Sequence, residues 1–270
     1  MDEKNNSLDI LGIKPISSAI DKTTEGTLKG IGEFLTLVCK PALGEFGYLL
    51  QDKVRNWRLN NVVKMLTKAK GKLEYKEGSL EVKSHPRVAI SIIDKSSYID
   101  DDIVQEMWAG LFASSCNKDG QDDENLLFID LLQKLTFSQA KLLNYSIENC
   151  RKILYKTGLV LADDFEVHCD EIKKITQVND IHRIDRELDY LRTLGLIDEI
   201  NGGFDVNNEL IANLTPTYLA LSLYVKSQGS SNNPDVFWKD VIITEEKLEK
   251  EKAEKTKKEA EDRMKKKEGL

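Results

Sequence analysis

The sequence predicts a mainly α-helical protein: an N-terminal helical region, a winged helix-turn-helix-like domain with a small β-hairpin, and a charged C-terminal helix. Three observations predict it. Apolar residues recur at spacings of three and four from Val88 to Phe112. A helix, a glycine-marked hairpin and another helix follow one another from Ile181 to Gly229. From Glu245 onward the chain is a low-complexity, mostly charged segment. The divisions expected are residues 1–78, 79–135, 136–229 and 230–270.

The 270 residues suffice for a sizeable core, and 40% hydrophobic with 31% charged residues fits a soluble protein. A formal net charge of −7 argues against nucleic-acid binding by the whole surface, since phosphate recognition requires positive charge. Cys39, Cys116, Cys150 and Cys169 are scattered, without a CxxC pair. With the polar start MDEKNNSLDI, this spacing reads as reduced thiols in a cytoplasmic protein without a secretory signal. No apolar run reaches the length of a membrane span.

The segment from Gly26 to Val54 is apolar but broken by Gly30, Gly32, Pro41, Gly44 and Gly47. Any helix there needs tertiary support, or glycines that admit a close neighbour. Lys53 to Lys72 then carries Lys53, Arg55, Arg58, Lys64, Lys68, Lys70 and Lys72 without one acid. Val54, Trp57, Val62, Met65 and Leu66 recur at helical spacing, so the segment reads as a basic amphipathic helix ending at Gly71. It is either a core-facing helix with a solvated face, or a surface for anionic lipid headgroups, nucleic acid or an acidic partner. Lys53, Arg55, Arg58, Lys64 and Lys68 are the candidate residues for that surface.

Pro86 should open the next helix, with Val88, Ile90, Ile92 and Ile93 as its apolar positions. Asp100, Asp101 and Asp102 precede Ile103, Val104, Met107, Trp108, Leu111 and Phe112, and read as capping carboxylates on a core helix. Ser115, Asn117, Asp119 and Gly120 imitate half a calcium loop, but Leu126 stands where the closing glutamate is required. Leu126 to Leu135 reads as a short helix, and Thr136 with Gln139 as a capping box for a helix toward Cys150.

GLVLADDFEV is an extended or hairpin segment. Ile181, Ile184, Leu188 and Leu191 mark a helix ending at Gly195, and Leu196–Ile200 with Phe204–Val206 suggest a hairpin around NGG. Thr215 and Pro216 should start the last helix of the domain, and Gly229 should end it. Beyond lie a linker, an apolar patch of Phe237, Trp238, Val241 and Ile242 that is a candidate for assembly, and a polar helix without a core face.

Catalytic and cofactor motifs do not emerge. There is no GxSxG elbow and no glycine-rich phosphate loop, and the adjacent His168 and Cys169 point apart as sequence neighbours do. No cofactor, metal or catalytic residue is expected. Arg183, Arg186 and Arg192 alternate with Asp185, Glu187 and Asp189, which favours a protein over DNA.

LGIKPI, PALGEFGYLLQDKVRNWRLNNVVKMLTKAKGKL, DDDIVQEMWAGLFASS, LDYLRTLGLID and LTPTYLALSLY resemble successive blocks of the abortive-infection alpha (Abi-alpha) family. The resemblance covers about residues 10 to 229, leaving the tail after Asn233 outside. It implies a bacterial, mostly helical protein that defends against phage by disabling the infected cell, and it transfers no catalytic residues. Two classes of function follow. One is a non-enzymatic defence protein working through a protein partner, a homo-oligomer or an anionic membrane surface, cytoplasmic or peripheral at the inner face of the membrane. The other is a winged-helix regulatory or assembly module that binds nucleic acid or another protein.

Overall fold

The computed structural model describes residues 22–42, 55–77, 82–205, 210–254 and 257. They are mainly helical with three small sheets. The helices are α1 (Lys22–Val38), α2 (Arg55–Glu77), α3 (Pro86–Ser96), α4 (Asp102–Ser114), α5 (Asn125–Leu132), α6 (Phe137–Asn149), α7 (Cys169–Thr176), α8 (Ile181–Thr193), α9 (Tyr218–Ser227), the single turn α10 (Pro234–Phe237) and α11 (245–254). The strands are β1 (Lys83–Ser84), β2 (Cys116–Asn117), β3 (Lys152–Leu154), β4 (Val160–Ala162), β5 (Glu166–His168), β6 (Gly203–Phe204), β7 (Ile211–Asn213) and β8 (Ile243–Thr244). Two compact units emerge, one of residues 1–141 with 223–232 and one of residues 142–222 with 233–270. The segment after Asn232 groups with the second unit.

In the first unit α2 packs on α4, burying Leu59, Val62, Met65, Leu66, Ala69 and Leu73 at spacings of three and four. Trp108 is 1% exposed, and Phe112 meets Phe34 of α1 at 5.9 Å between ring centroids. Trp108 is thus a core residue, as its helical spacing predicts. Three expectations change. The helix passes through Gly71 to Glu77, because burial of Leu73 and the ion pair of Lys72 outweigh the roughly 1 kcal/mol that a helical glycine costs. Trp57 is 40% exposed rather than apolar-face core, and Ile103 at the first turn of α4 is 37% exposed. A Cβ on Gly26 or Gly30 would meet nothing within 4 Å, so these glycines do not serve close packing. The close approach is at Gly110, where the backbone of Ser227 occupies the place of a side chain. Gly44 and Gly47 lie outside the described residues.

The caps follow the sequence closely. Asp101 accepts from the amides of Ile103 and Val104, each at 3.0 Å. Thr136 and Gln139 form the reciprocal capping box, at 2.9 and 3.2 Å. His85 and His168 also cap helices, each accepting an amide hydrogen through Nδ1. In the acidic loop Asn117, Asp119 and Asp122 accept from the amides of Gly120, Gln121 and Glu124, so these side chains fold the turn.

In the second unit β4-β3-β8 form one sheet and β5-β7-β6 another, the latter antiparallel throughout, with α7 and α8 lying between β5 and β6 in sequence. GLVLADDFEV supplies β4 and β5, and β4 forms a hairpin with β3 rather than with β5. Among the described residues the hairpin expected from Leu196 to Val206 does not form. Gly202 turns back onto Asp198, β6 pairs with β7, and residues 206–209 lie outside the described part. Thr217, not Thr215, caps α9, since the hydroxyl of Thr215 accepts from the amide of Phe165 and Pro216 bridges to Ile197. The segment after Asn233 is not a free linker: Trp238 and Leu248 are buried, and β8 lies parallel to β3.

Candidate interaction surfaces

The basic helix α2 is the first surface to test against the structure. Its outward row is Trp57, Asn60, Lys64, Thr67 and Gly71, which contains one base. Arg58 is 6% exposed. Its Nε donates to Ser97 Oγ at 3.0 Å, its guanidinium lies 3.4 Å from Asp94, and the Tyr98 ring centroid is 4.3 Å away. It therefore ties α2 to the C-terminal turn of α3 and is withdrawn from any anionic surface. Asn61 adds a bond from Nδ2 to the carbonyl of Ser97 at 3.0 Å.

Lys68 reaches Glu106 at 2.9 Å and Asp102 at 3.6 Å, while Lys72 reaches Glu106 at 3.2 Å. Burial pushes the Glu106 carboxyl up, but Lys68 and Lys72 together outweigh it and hold the group below the usual carboxylate range. Lys64 stays exposed. Lys53 and the side chain of Arg55 lie outside the described residues. Sequence reading missed the acids that answer these bases, although the signal was present: Lys68 and Lys72 are four apart on one helix, as Asp102 and Glu106 are on another.

The second surface is α8. Ile184, Leu188 and Leu191 face inward, leaving His182, Arg183, Asp185, Arg186, Asp189 and Tyr190 exposed. Arg192 pairs with Asp189 at 2.6 Å and donates to the carbonyl of Gly202 at 3.3 Å. Arg183 stands 3.7 Å from Glu187. Interleaving read from the sequence is thus interleaving in space, with cations and carboxylates neutralising one another within a turn.

The third is the C-terminal segment. Phe237 and Trp238 meet edge to face, with centroids 5.2 Å apart and planes at 85°. Trp238 is 8% exposed, and the ammonium of Lys152 lies 5.4 Å from its ring centroid. Ile242 is half-buried and Val241 is 65% exposed. Most of the expected assembly patch is therefore docked on its own unit, and Val241 is the member that faces outward.

All four cysteines are free and buried. Burial pushes the thiols of Cys39, Cys116 and Cys150 up, that of Cys116 to about 12, which disfavours the nucleophilic thiolate. Burial also pushes the Lys152 amine down while its Nζ donates to the carbonyls of Ile147 and Cys150. A cleft of about 460 Å³ beside the end of α1 is lined by Lys40, Lys83 and Asp119 among others. Among the described residues no group of three or more His, Cys, Asp and Glu side chains could hold a metal, and no helix is long and apolar enough to cross a membrane.

The sequence pattern of the family described as Abortive infection alpha matches residues 58–259. The chain belongs to this abortive infection alpha family. No curated protein and no solved structure matches it. The family region differs from the expected one at both ends. LGIKPI, at residues 11–16, falls outside it, whereas the C-terminal segment that carries β8 and α11 falls inside. That inclusion agrees with Trp238 and Leu248 being built into the core of the second unit.

Proposed function

We propose that this abortive infection alpha protein is a non-enzymatic defence protein that acts by protein contact through its second unit, which we read as a winged helix-turn-helix. The order α6, β5, α7, α8, β6, β7 and the β5-β7-β6 sheet support the winged-helix reading, with the β3–β4 hairpin inserted before β5. One observation carries the choice of protein over nucleic acid. On α8, the helix in the recognition position, Arg183 and Arg192 stand beside acids of the same helix, and Tyr190 is 40% exposed among them. A phosphate backbone selects an uninterrupted positive stripe, whereas a mixed-charge face around an aromatic ring suits a protein interface.

Cells expressing the chain are expected to reduce phage yield. The double substitution Arg186→Ala and Tyr190→Ala should abolish that protection, with stability changed by less than about 0.5 kcal/mol at each exposed position. A double variant that protects as well as the parent would refute α8 as the contact surface, and retention of duplex DNA by the parent chain would favour the regulatory alternative. The membrane reading is supported by a smaller feature, the exposed Trp57 with Lys64 two turns away on the outward row of α2. Membrane fractions taken before and after infection separate the two, since recruitment lost on Lys64→Glu would favour the lipid surface.

A further inference from the structure

The β3–β4 hairpin carries a strand from far along the chain. Ile243 lies opposite Ile153 and Thr244 opposite Leu154, parallel to β3. What receives this strand is assembled from the hairpin and the end of α6. The Lys152 ammonium is anchored on the carbonyls of Ile147 and Cys150, the latter at 2.9 Å, and from there it faces the ring of Trp238. Arg151 and Asp163 lie 3.8 Å apart and present one base and one acid. They meet Glu251 and Lys252 respectively, the second pair at 3.3 Å. The amide of Lys156 adds a long bond to Glu245 at 3.4 Å.

Within the segment that fills this place, the strand and its ion pairs are lightly held, and the burial of Trp238 and Leu248 anchors the rest. Its ladder is two residues long and parallel, the weaker pairing per residue. Its ion pairs are partly solvated, with Arg151 49%, Glu251 41% and Lys252 63% exposed against 19% for Asp163, and pairs of this kind contribute modestly. Trp238 and Leu248 supply its buried contacts, and it follows the stretch Gly229–Asn233, GSSNN, which lacks helix or strand. A built acceptor with a small, separately tethered occupant is the arrangement of strand-addition recognition, where backbone pairing gives affinity and flanking pockets give specificity.

We propose that the edge of β3, with Lys152, Arg151 and Asp163, is a strand-acceptor site for an extended segment of a partner protein, and that residues 238–254 occupy it in cis as a stand-in for that segment. The partner segment carries an aromatic residue for the Lys152 ammonium, a β-branched pair about five residues on for the β3 edge, and an adjacent acid and base for Arg151 and Asp163. The site rests on the protein-contact reading above and adds the chemistry of the partner. Tethering gives the internal segment an effective concentration on the order of millimolar, so a partner enters only when the internal contacts are weakened or outmatched.

The test uses the full chain and a labelled synthetic peptide of residues 234–254. Glu251→Arg with Lys252→Glu mismatches the internal segment and leaves the acceptor intact. Arg151→Glu with Asp163→Lys mismatches the acceptor. The first variant should bind the peptide of natural sequence at least about threefold more tightly than a peptide carrying the same two reversals, and the second should show the opposite preference. A chain with all four substitutions pairs its charges again in cis, and should exclude both peptides as the parent does. Equal affinity for both peptides, or no binding by half-reversed variants that melt like the parent, overturns the proposal. So does a parent chain that forms dimers in light scattering through exchange of this segment, which would make the occupant a second copy. Peptide selectivity is read without phage, so its failure leaves the test of α8 intact.

Discussion

Replacing Gly110 by alanine should destabilise the first unit, although helix propensity alone forecasts the reverse. Alanine in a helix interior is favoured over glycine by about 1 kcal/mol. At this position, however, a Cβ would stand 1.6 Å from the carbonyl oxygen of Ser227, 2.1 Å from its carbonyl carbon and 2.8 Å from its Cα. Real Cβ atoms essentially never come within 3.0 Å of such a neighbour, and backbone cannot rotate away as a side-chain tip does. The local backbones must part by more than about 1 Å, loosening a close-packed contact, and overpacking of this kind costs about 1–3 kcal/mol or more. Because the clash is with three backbone atoms, the upper end applies, and the net loss after the propensity gain is about 2 kcal/mol. Thermal melting of the full chain should fall by about 4–8 °C, with urea denaturation giving the free energy. Gly30→Ala is the control of opposite sign: a Cβ there meets nothing within 4 Å, so up to about 1 kcal/mol should be gained. A Gly110→Ala protein as stable as the parent would refute the packing argument.

Trp108→Ala should cost about 3–5 kcal/mol in urea denaturation, and Trp108→Phe less, because the buried Nε1 has no hydrogen-bond partner to lose. A negligible loss for alanine would place the ring outside the core. Glu106 is held below the usual carboxylate range by Lys68 and Lys72, so its contribution is present above that range and is lost as pH falls through the folded value. Glu106→Gln should therefore cost about 0.5–1 kcal/mol at neutral pH, kept small by solvent screening of a half-exposed group, and progressively less as pH falls below the usual carboxylate range; a gap that does not shrink with falling pH would contradict the pairing. Cys116, with its thiol pushed up to about 12 by burial, should resist iodoacetamide at about pH 8 in the native protein and react once unfolded. Mass spectrometry showing native modification at the rate of a free thiol would overturn that assignment.

Local rules made much of this fold legible. The inward row of α8, the Asp101 cap and the reciprocal bonds of Thr136 and Gln139 all depend on residues within two turns of one another. Failures arose where a distant partner decided a local choice. Thr215 and Thr217 are both acceptable caps for α9, and the choice falls to Thr217 because Phe165, 50 residues earlier, takes the hydroxyl of Thr215. The two residues of β8 carry no strand pattern of their own; they become a strand because β3, some 90 residues upstream, offers an unpaired edge. The charged composition of α11 concealed that Leu248 is a core residue, since one apolar side chain makes no stripe.

The same limit governs reading a surface from a charge run. A helix buries the row its apolar residues define, and the bases on either side of that row lie within reach of whatever packs against it. On α2 those flanking positions are Arg58, Lys68 and Lys72, and their partners Asp94, Asp102 and Glu106 come from α3 and α4. The run from Lys53 to Lys72 is free of acids in sequence but not in space. A basic stretch therefore identifies an anion-binding face only where its bases project from the outward row, and on the described part of α2 that condition leaves Lys64, two turns from Trp57. On α8 the acids sit between the arginines in sequence as well as in space, so the charge pattern carried over intact. Interleaving within one helix is a local property that folding preserves, whereas the isolation of a basic run depends on every neighbour that folding brings to it.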